Sequence, residues 1–282
     1  MLVFRGPGAR KTTALRNNTP PLNYYLSDLY SALEGTLFVG KLQYVPETGS
    51  TNTLAMQAAN AAADEGTIFL TDQQTAGRGR NGHLWHSEPA EAILVSVVLR
   101  PRIAPTQALW LSLMAGVAVY DAVSLTSGIA CDLRWPNDLL IGRRKVCGIL
   151  TEISADSEQL RFAVIGIGIN VNQSSFPPEI ASLATSLQVE TGKAWSRTEL
   201  LIALLKSLEA EYRRVLAPDG DEALLRRVEG ISSFARNKRV YVDEAGGYDG
   251  VTDGLDTRGF LRVRTPSGMR TVLSGGVRES GT

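Results

Sequence analysis

The sequence predicts an α+β protein, a large domain of mixed helices and strands followed by a small all-β barrel. Three observations carry this expectation. The chain has 282 residues, 44% of them hydrophobic, which is enough for a full core and for more than one minimal domain. From Leu37 onward, helical and strand patterns alternate. After Gly230 the texture changes to short strands separated by glycine-rich turns.

Taken in order, residues 1–22 mix Gly, Arg, Thr, Asn and Pro without periodicity and are expected to form a poorly ordered extension. Residues 22–34 read as one short helix ending at Gly35. A lone helix is too little for a helix-turn-helix module, which needs at least two packed helices. Ser50, Thr51 and Asn52 are placed to cap an alanine-rich helix that stops at Gly66. Residues 67–72 and 92–99 are strands, the second continuously apolar, and residues 107–127 form a buried helix closed by Gly128. Residues 133–153 read as a hairpin around Gly142 and Arg143, and residues 160–171 as a further strand. Ser196 and Glu199 make a capping box for a helix that runs to Leu216 and halts near Pro218. Strands at 239–243, 249–253, 260–264 and 270–273 complete the barrel, and the boundary falls between residues 228 and 232. The expected divisions are an extension at 1–22, a catalytic domain at 23–229 and the small β domain at 230–282.

Lysine plus arginine equals aspartate plus glutamate at 29 each. This balance argues against broad, sequence-independent nucleic-acid binding. Two cysteines, Cys131 and Cys147, are too few for a disulfide framework, and two histidines, His83 and His86, exclude a histidine-rich metal site. No signal peptide and no long apolar span is read, so neither a membrane partner nor a nucleic-acid partner is expected, and the location is cytoplasmic by default.

Four stretches could carry chemistry. Residues 74–85, Gln-Thr-Ala-Gly-Arg-Gly-Arg-Asn-Gly-His-Leu-Trp, follow a strand with three glycines and two arginines in six residues. Glycines let a ligand approach the backbone closely, and guanidinium forks suit carboxylate and phosphate oxygens; a solvated basic turn has the same composition. Arg134-Trp-Pro-Asn-Asp138 puts Asn137 and Asp138 at a strand end or turn, because proline stops a central strand. That pattern also describes an ordinary Asn-Asp turn beside a buried tryptophan. Lys145 starts an apolar return strand with Gly148 three residues on, so its ammonium could enter a cleft and stabilise charge on a phosphate, or sit exposed like Arg143 and Arg144. Gly166 and Gly168 leave one face of a strand bare for a ring system or a packed backbone, and Asn170 at its end could read a ribose or base edge. Cys147 is expected to be a packed thiol, and His83 lacks a partner that would make it a base.

The ordered set of Ser50-Thr-Asn52, Gly77-Arg-Gly-Arg-Asn-Gly82 with Trp85, Arg134-Trp-Pro-Asn-Asp138, Lys145-Val-Cys-Gly-Ile-Leu150 and Gly166-Ile-Gly-Ile-Asn-Val171 resembles the biotin protein ligase family. The match covers roughly residues 37–217. The resemblance implies a class II synthetase-like catalytic domain followed by an SH3-like domain. It also implies a two-step reaction using ATP, biotin and Mg2+: biotinyl-5′-AMP forms, and a lysine of a biotin carboxyl carrier protein then accepts the biotinyl group. By the same resemblance, Ser50, Thr51, Asn52 and Gln74 match biotin-contacting positions, and Arg78, Gly79 and Arg80 match the loop over biotin and the adenylate phosphate. Lys145 matches the lysine that contacts the acid near the α-phosphate, and Trp85 a support for the loop. Asn137 and Asp138 match the pair near the metal and the acceptor amine, so that Asp138 is the metal candidate and could assist lysine deprotonation. Asn170 matches the nucleotide side, and Arg80, Lys145 and Asp138 are the implied catalytic residues. A homodimer is implied as well.

One departure is His83, with Asn81, where the family loop often carries basic residues; it lowers the local positive charge. Only 36 residues precede Leu37, so a monofunctional ligase without an N-terminal DNA-binding domain is expected. A lipoate or octanoate transferase is the nearest enzymatic rival. A biotin-sensing regulator with a degenerate ligase domain is the non-enzymatic one, and the presence of Arg80 and Lys145 speaks against it.

Overall fold

The structure is a computed structural model that describes residues 24–244 and 246–281. The extension expected at 1–22 lies outside the described residues.

A short helix α1 (Leu26–Ala32) precedes a seven-stranded mixed sheet built from β1 (Leu42–Thr48), β2 (Ile68–Gln74), β3 (Ala92–Leu99), β4 (Asp132–Arg134), β5 (Asp138–Ile141), β6 (Arg144–Ala155) and β7 (Leu160–Asn170). The strand order is β1-β2-β3-β7-β6-β5-β4. Strands β1 and β2 run parallel, and every other neighbouring pair is antiparallel. Helix α2 (Thr51–Asn60) connects β1 to β2, α3 (Ala108–Ser127) connects β3 to β4, and α4 (Leu187–Thr191), α5 (Arg197–Val215) and α6 (Gly220–Ile231) follow β7. A second, five-stranded antiparallel sheet contains β8 (Arg236–Val242), β9 (Tyr248–Leu255), β10 (Leu261–Thr265), β11 (Gly268–Val272) and β12 (Val277–Glu279), in the order β11-β10-β9-β8-β12.

Side chains alternate across a strand, and this period divides the mixed sheet into two differently covered faces. Ile93, Val95, Val97 and Leu99 of β3, with Ile165, Ile167 and Ile169 of β7, enter the main core beside α3 and α5. Val98 of β3 and Phe162 and Val164 of β7 face the other way, onto Ala55 and Ala59 of α2. Helix α2 is small-sided and short, so it covers only part of that second face. The uncovered part holds the functional cleft.

Helix α3 corrects the reading that no long apolar span is present. Residues 105–127 are long and apolar enough to cross a membrane, with a mean hydropathy of 1.6. Here that apolarity is consumed internally: Trp110, Leu111, Leu113, Met114, Val117, Val119 and Val123 are all buried in the core. Gly128 closes the helix with φ +73°, as expected, and its N–H donates to Ser124 O at 2.9 Å. Two local expectations fail around α2. Ser50 stands at the cap position, but its hydroxyl accepts no helix N–H. The helix also ends at Asn60 rather than at Gly66, because Gly66 N–H is recruited by Val98 O at 2.8 Å to join the sheet. Ser196 does cap α5, accepting from Glu199 N–H at 3.2 Å.

The two sheets are tied at one buried point. Trp135, next to the cis Trp135–Pro136 bond, donates its indole N–H to Gly259 O at 2.9 Å. Gly259 has φ +88°, and a Cβ there would meet Leu113 Cδ1 at 2.8 Å. Gly259→Ala is therefore expected to cost about 1–2 kcal/mol by backbone strain and overpacking. A thermal melt checks this: the midpoint should fall by several degrees, and an unchanged midpoint would show that the junction tolerates a side chain.

Candidate active site

The cleft on the half-covered face begins with missing side chains. Gly148 of β6 lies directly opposite Gly168 of β7, and Leu150 lies opposite Gly166. Cross-strand partners share a face, so three glycines leave a bare floor. The Trp85 indole rests on it: a Cβ on Gly168 would meet the ring at 2.6 Å, and one on Gly148 would meet it at 2.8 Å. The surrounding cleft spans about 470 Å³, the solvent at its open mouth included, and is lined by Ser50, Thr51, Asn52, Gln74, Arg78, Gly79, Arg80, Asn137 and Lys145, among others. Nine of the predicted site residues thus converge on one cavity from the start of α2, from β2, from the glycine-rich loop, from the β4–β5 turn and from β6.

One end of the cleft presents neutral polar groups, with the Arg78–Glu152 ion pair beside Asn52. Thr51 donates both its N–H (2.8 Å) and its hydroxyl (3.1 Å) to Gln74 Oε1. Ser96 Oγ lies 2.7 Å from Thr51 Oγ1 and 2.6 Å from Asn52 Oδ1. Ser96 was not among the predicted residues. Its signal was present, a single fully buried hydroxyl in the otherwise apolar β3.

The other end is charged. Lys145 Nζ stands 2.6 Å from Asp138 Oδ1, and Arg134 Nη2 stands 2.6 Å from Asp138 Oδ2. Burial alone would raise the Asp138 pKa, but the two cations hold the carboxyl below the usual carboxylate range. Arg80 donates to Asn137 Oδ1 at 3.1 Å, and Asn137 is itself fixed by donating to Ile149 O at 2.7 Å. Burial pushes the Arg80 pKa down while the Asp138 charge opposes that shift. The end therefore offers Lys145 and Arg80 against the single carboxylate Asp138, with Arg134 behind it.

One expectation needs correction. Asn170 does not line the cleft: it is buried, donates to Thr185 O at 2.9 Å and accepts from Gln173 Nε2 at 3.1 Å. It supports the 183–187 segment, which hydrogen-bonds in turn to Lys145. Both oxygens of Asp138 are engaged by cations, and no group of three or more His, Cys, Asp or Glu side chains suited to a metal occurs among the described residues. Cys147 is fully buried with its pKa pushed up by burial, a packed thiol as expected. His83 is exposed on the loop, where its carbonyl accepts from Gly79 N–H at 2.7 Å.

Residues 44–170 match the model of the biotin/lipoate A/B protein ligase family. The biotin–[acetyl-CoA-carboxylase] ligase of Mycobacterium tuberculosis is 36% identical over 240 residues, covering 83% of this chain and 86% of that protein. The chain belongs to the biotin protein ligase family. The bifunctional ligase/repressor BirA of Bacillus spizizenii is 35% identical over 250 residues, covering 88% of this chain and 77% of that protein. Among solved structures, the Aquifex aeolicus biotin protein ligase in complex with biotin and ATP superposes with a TM-score of 0.73 at 30% identity, covering 86% of this chain and all of that one. Family membership accounts for the ordered motifs meeting in one cleft.

A side chain at the floor should displace the indole. Gly168→Ala is expected to free Trp85 from β7 and to raise acrylamide quenching of tryptophan fluorescence; quenching equal to the parent would mean that the sheet shifts instead.

Proposed function

We propose that this chain uses ATP to attach biotin to a lysine of a biotin carboxyl carrier protein through biotinyl-5′-AMP. The observation that carries the reading is the polarity of the cleft along its length. Thr51, Asn52 and Gln74 suit a neutral ureido head, the glycine floor and Trp85 suit an apolar ring and chain, and Lys145 and Arg80 suit a carboxylate and a phosphate.

In the first step the acid's carboxylate oxygen bonds to the α-phosphorus of ATP, and the bond to pyrophosphate breaks. Two anions must approach each other, so fixed cations and preorganised donors lower the barrier. Lys145 meets the acid by exchanging Asp138 for the incoming carboxylate, and Arg80 compensates phosphate charge. In the second step the acceptor lysine gives up its ammonium proton to solvent and the neutral amine attacks the acyl carbon; the C–N bond forms, the bond from the acyl carbon to the phosphate oxygen breaks, the second amine proton passes to solvent and AMP departs. The depressed pKa of Asp138 makes it a weak proton acceptor at neutral pH, so its role is to accept a hydrogen bond from the acceptor amine and orient it beside the anhydride. Magnesium, where required, would enter with the nucleotide and offset phosphate charge; Asp138 is the carboxylate beside the cleft that could help to hold it once Lys145 has turned to the acid.

The antiparallel sheet of β8–β12 is proposed as an SH3-like domain at 230–282 that buttresses the 23–229 catalytic domain through Trp135 and Gly259. The outer edge of β1 leaves backbone groups available to a second copy, which supports a homodimer. A cytoplasmic location belongs to the same proposal.

The deciding experiment is acid-dependent exchange of labelled pyrophosphate into ATP, with biotin, lipoate and octanoate run in parallel. Exchange with biotin alone is expected; exchange with lipoate or octanoate alone would overturn the substrate. Lys145→Ala should reduce exchange by roughly 100-fold or more, the scale of losing a preorganised electrostatic donor, and undiminished exchange would remove Lys145 from the chemistry. Arg80→Ala should release biotinyl-AMP into solution faster, and an unchanged adenylate lifetime would count against a role in retention.

A further inference from the structure

We infer that Glu152, which the reaction itself does not use, is the latch that holds the glycine-rich loop closed over the cleft. This rests on the proposed function for its meaning but on geometry for its existence. Residues 148, 150 and 152 of β6 share the face that carries the glycine floor. The floor positions are bare or apolar, whereas Glu152 ends the row with a carboxylate. Its Oε2 accepts from Arg78 Nη2 at 2.8 Å and from Asn52 Nδ2 at 2.9 Å. Arg78 belongs to the loop, and Asn52 belongs to the first turn of α2.

The consequence follows from what else holds the loop. Its internal hairpin, through Gly79 N–H to His83 O and Trp85 N–H to Gly77 O, gives it shape but does not attach it to the sheet. At its start the loop is held by Thr75 N–H to Thr48 O and Ala76 N–H to Gly49 O, each at 2.9 Å; over the cleft, attachment comes from the Trp85 ring on Gly148 and Gly168, from Arg80 on Asn137 and from Arg78 on Glu152. Among the described residues, Arg78 is the loop arginine that pairs directly with a carboxylate, whereas Arg80 meets the Asn137 amide.

Glu152 is also the end of a connected chain. It accepts from Asn52, Asn52 contacts Ser96, Ser96 contacts Thr51, and Thr51 donates to Gln74. Groups proposed to recognise the head of the ligand are therefore hydrogen-bonded through to the latch. Filling the head-group end tightens the placement of Asn52, which favours the position of Glu152 that receives Arg78. Glu152 is a positioning residue in this scheme, acting through Arg78 and touching no reacting atom.

Glu152→Gln tests the inference, because the amide keeps the size and an acceptor for Asn52 but loses the charge that holds Arg78. Side chains in the pair are 46% and 26% exposed, so the expected effect is modest, about two- to five-fold. Two readouts separate the latch from the function. The first is trypsin cleavage at Arg78 and Arg80 with and without biotin. Cleavage in Glu152→Gln should be about two- to five-fold faster than in the parent, on the same basis. It should approach the parent rate in Glu152→Asp. The second is the lifetime of preformed biotinyl-AMP without acceptor. It should shorten by a similar factor, with pyrophosphate exchange retained. The parent's lifetime should fall as salt rises from about 0.05 to 0.5 M, and the variant's should respond much less, because screening acts on the ion pair. A residue needed only for folding would lower the melting midpoint without changing this salt response. Parent-like cleavage and lifetime in Glu152→Gln would overturn the latch. Failure of the parent to exchange pyrophosphate with biotin would overturn the proposed function, while the cleavage result would still decide the latch.

Discussion

The site depends first on an omission: three glycines on adjacent strands that give the mixed sheet a bare patch on one face. Gly148 and Gly168 are cross-strand partners, and Gly166 follows on the same face. Any side chain there would occupy the space of the Trp85 ring or of Asn52. Close packing leaves few voids in protein interiors, so a cleft at the centre of a sheet has to be made by removing atoms. The rest of the architecture conforms to this patch. Helix α2 reaches it only with Asn52 of its first turn, the glycine-rich loop arches over it, and α3 and α5 fill the opposite face.

Both ends of the loop are set by a second device, distant from the chemistry. Arg197 at the start of α5 is 1% exposed; it pairs with Asp72 at 2.7 Å and donates to Ala92 O at 3.0 Å. Its guanidinium also lies 4.1 Å from the Tyr24 ring centre. Asp72 lies in β2 before the loop and Ala92 opens β3 after it. One buried cation therefore fixes where the loop leaves the sheet and where it returns. Tyr44 donates to the same Asp72, and burial followed by that carboxylate pushes the tyrosine up to about 12. Removing one partner of such a buried pair leaves an uncompensated charge, the costly event in this class of interaction.

Charge in the cleft is arranged to be exchanged. Asp138 holds Lys145 and Arg134 together at 2.6 Å each, so Lys145 can turn to an incoming carboxylate while Arg134 still neutralises Asp138. An ammonium with no partner would have nothing to hold it at the cleft, and one bound by a dedicated carboxylate would be hard to recruit. The shared arrangement avoids both costs.

Much of this was legible in the linear chain. The continuous run 92–99, the buried helix 107–127 with its terminal glycine, and the capped helix from Ser196 were fixed by local pattern: periodicity, caps and breakers act over a few residues. The glycine spacing at 166 and 168 likewise announced a bare strand face. What the sequence could not determine was register and partnership. That Gly148 falls opposite Gly168, that Ser96 joins Thr51 and Asn52, and that Glu152 meets Arg78 depend on strand pairing between segments tens of residues apart. Asn170 shows the same limit in reverse, since its place at the end of a glycine-spaced strand suggested a ligand, while the fold directs its amide to Thr185. Local propensity is written residue by residue; which side chains share a cavity is decided only when β6 and β7 lock in register and the loop closes across them.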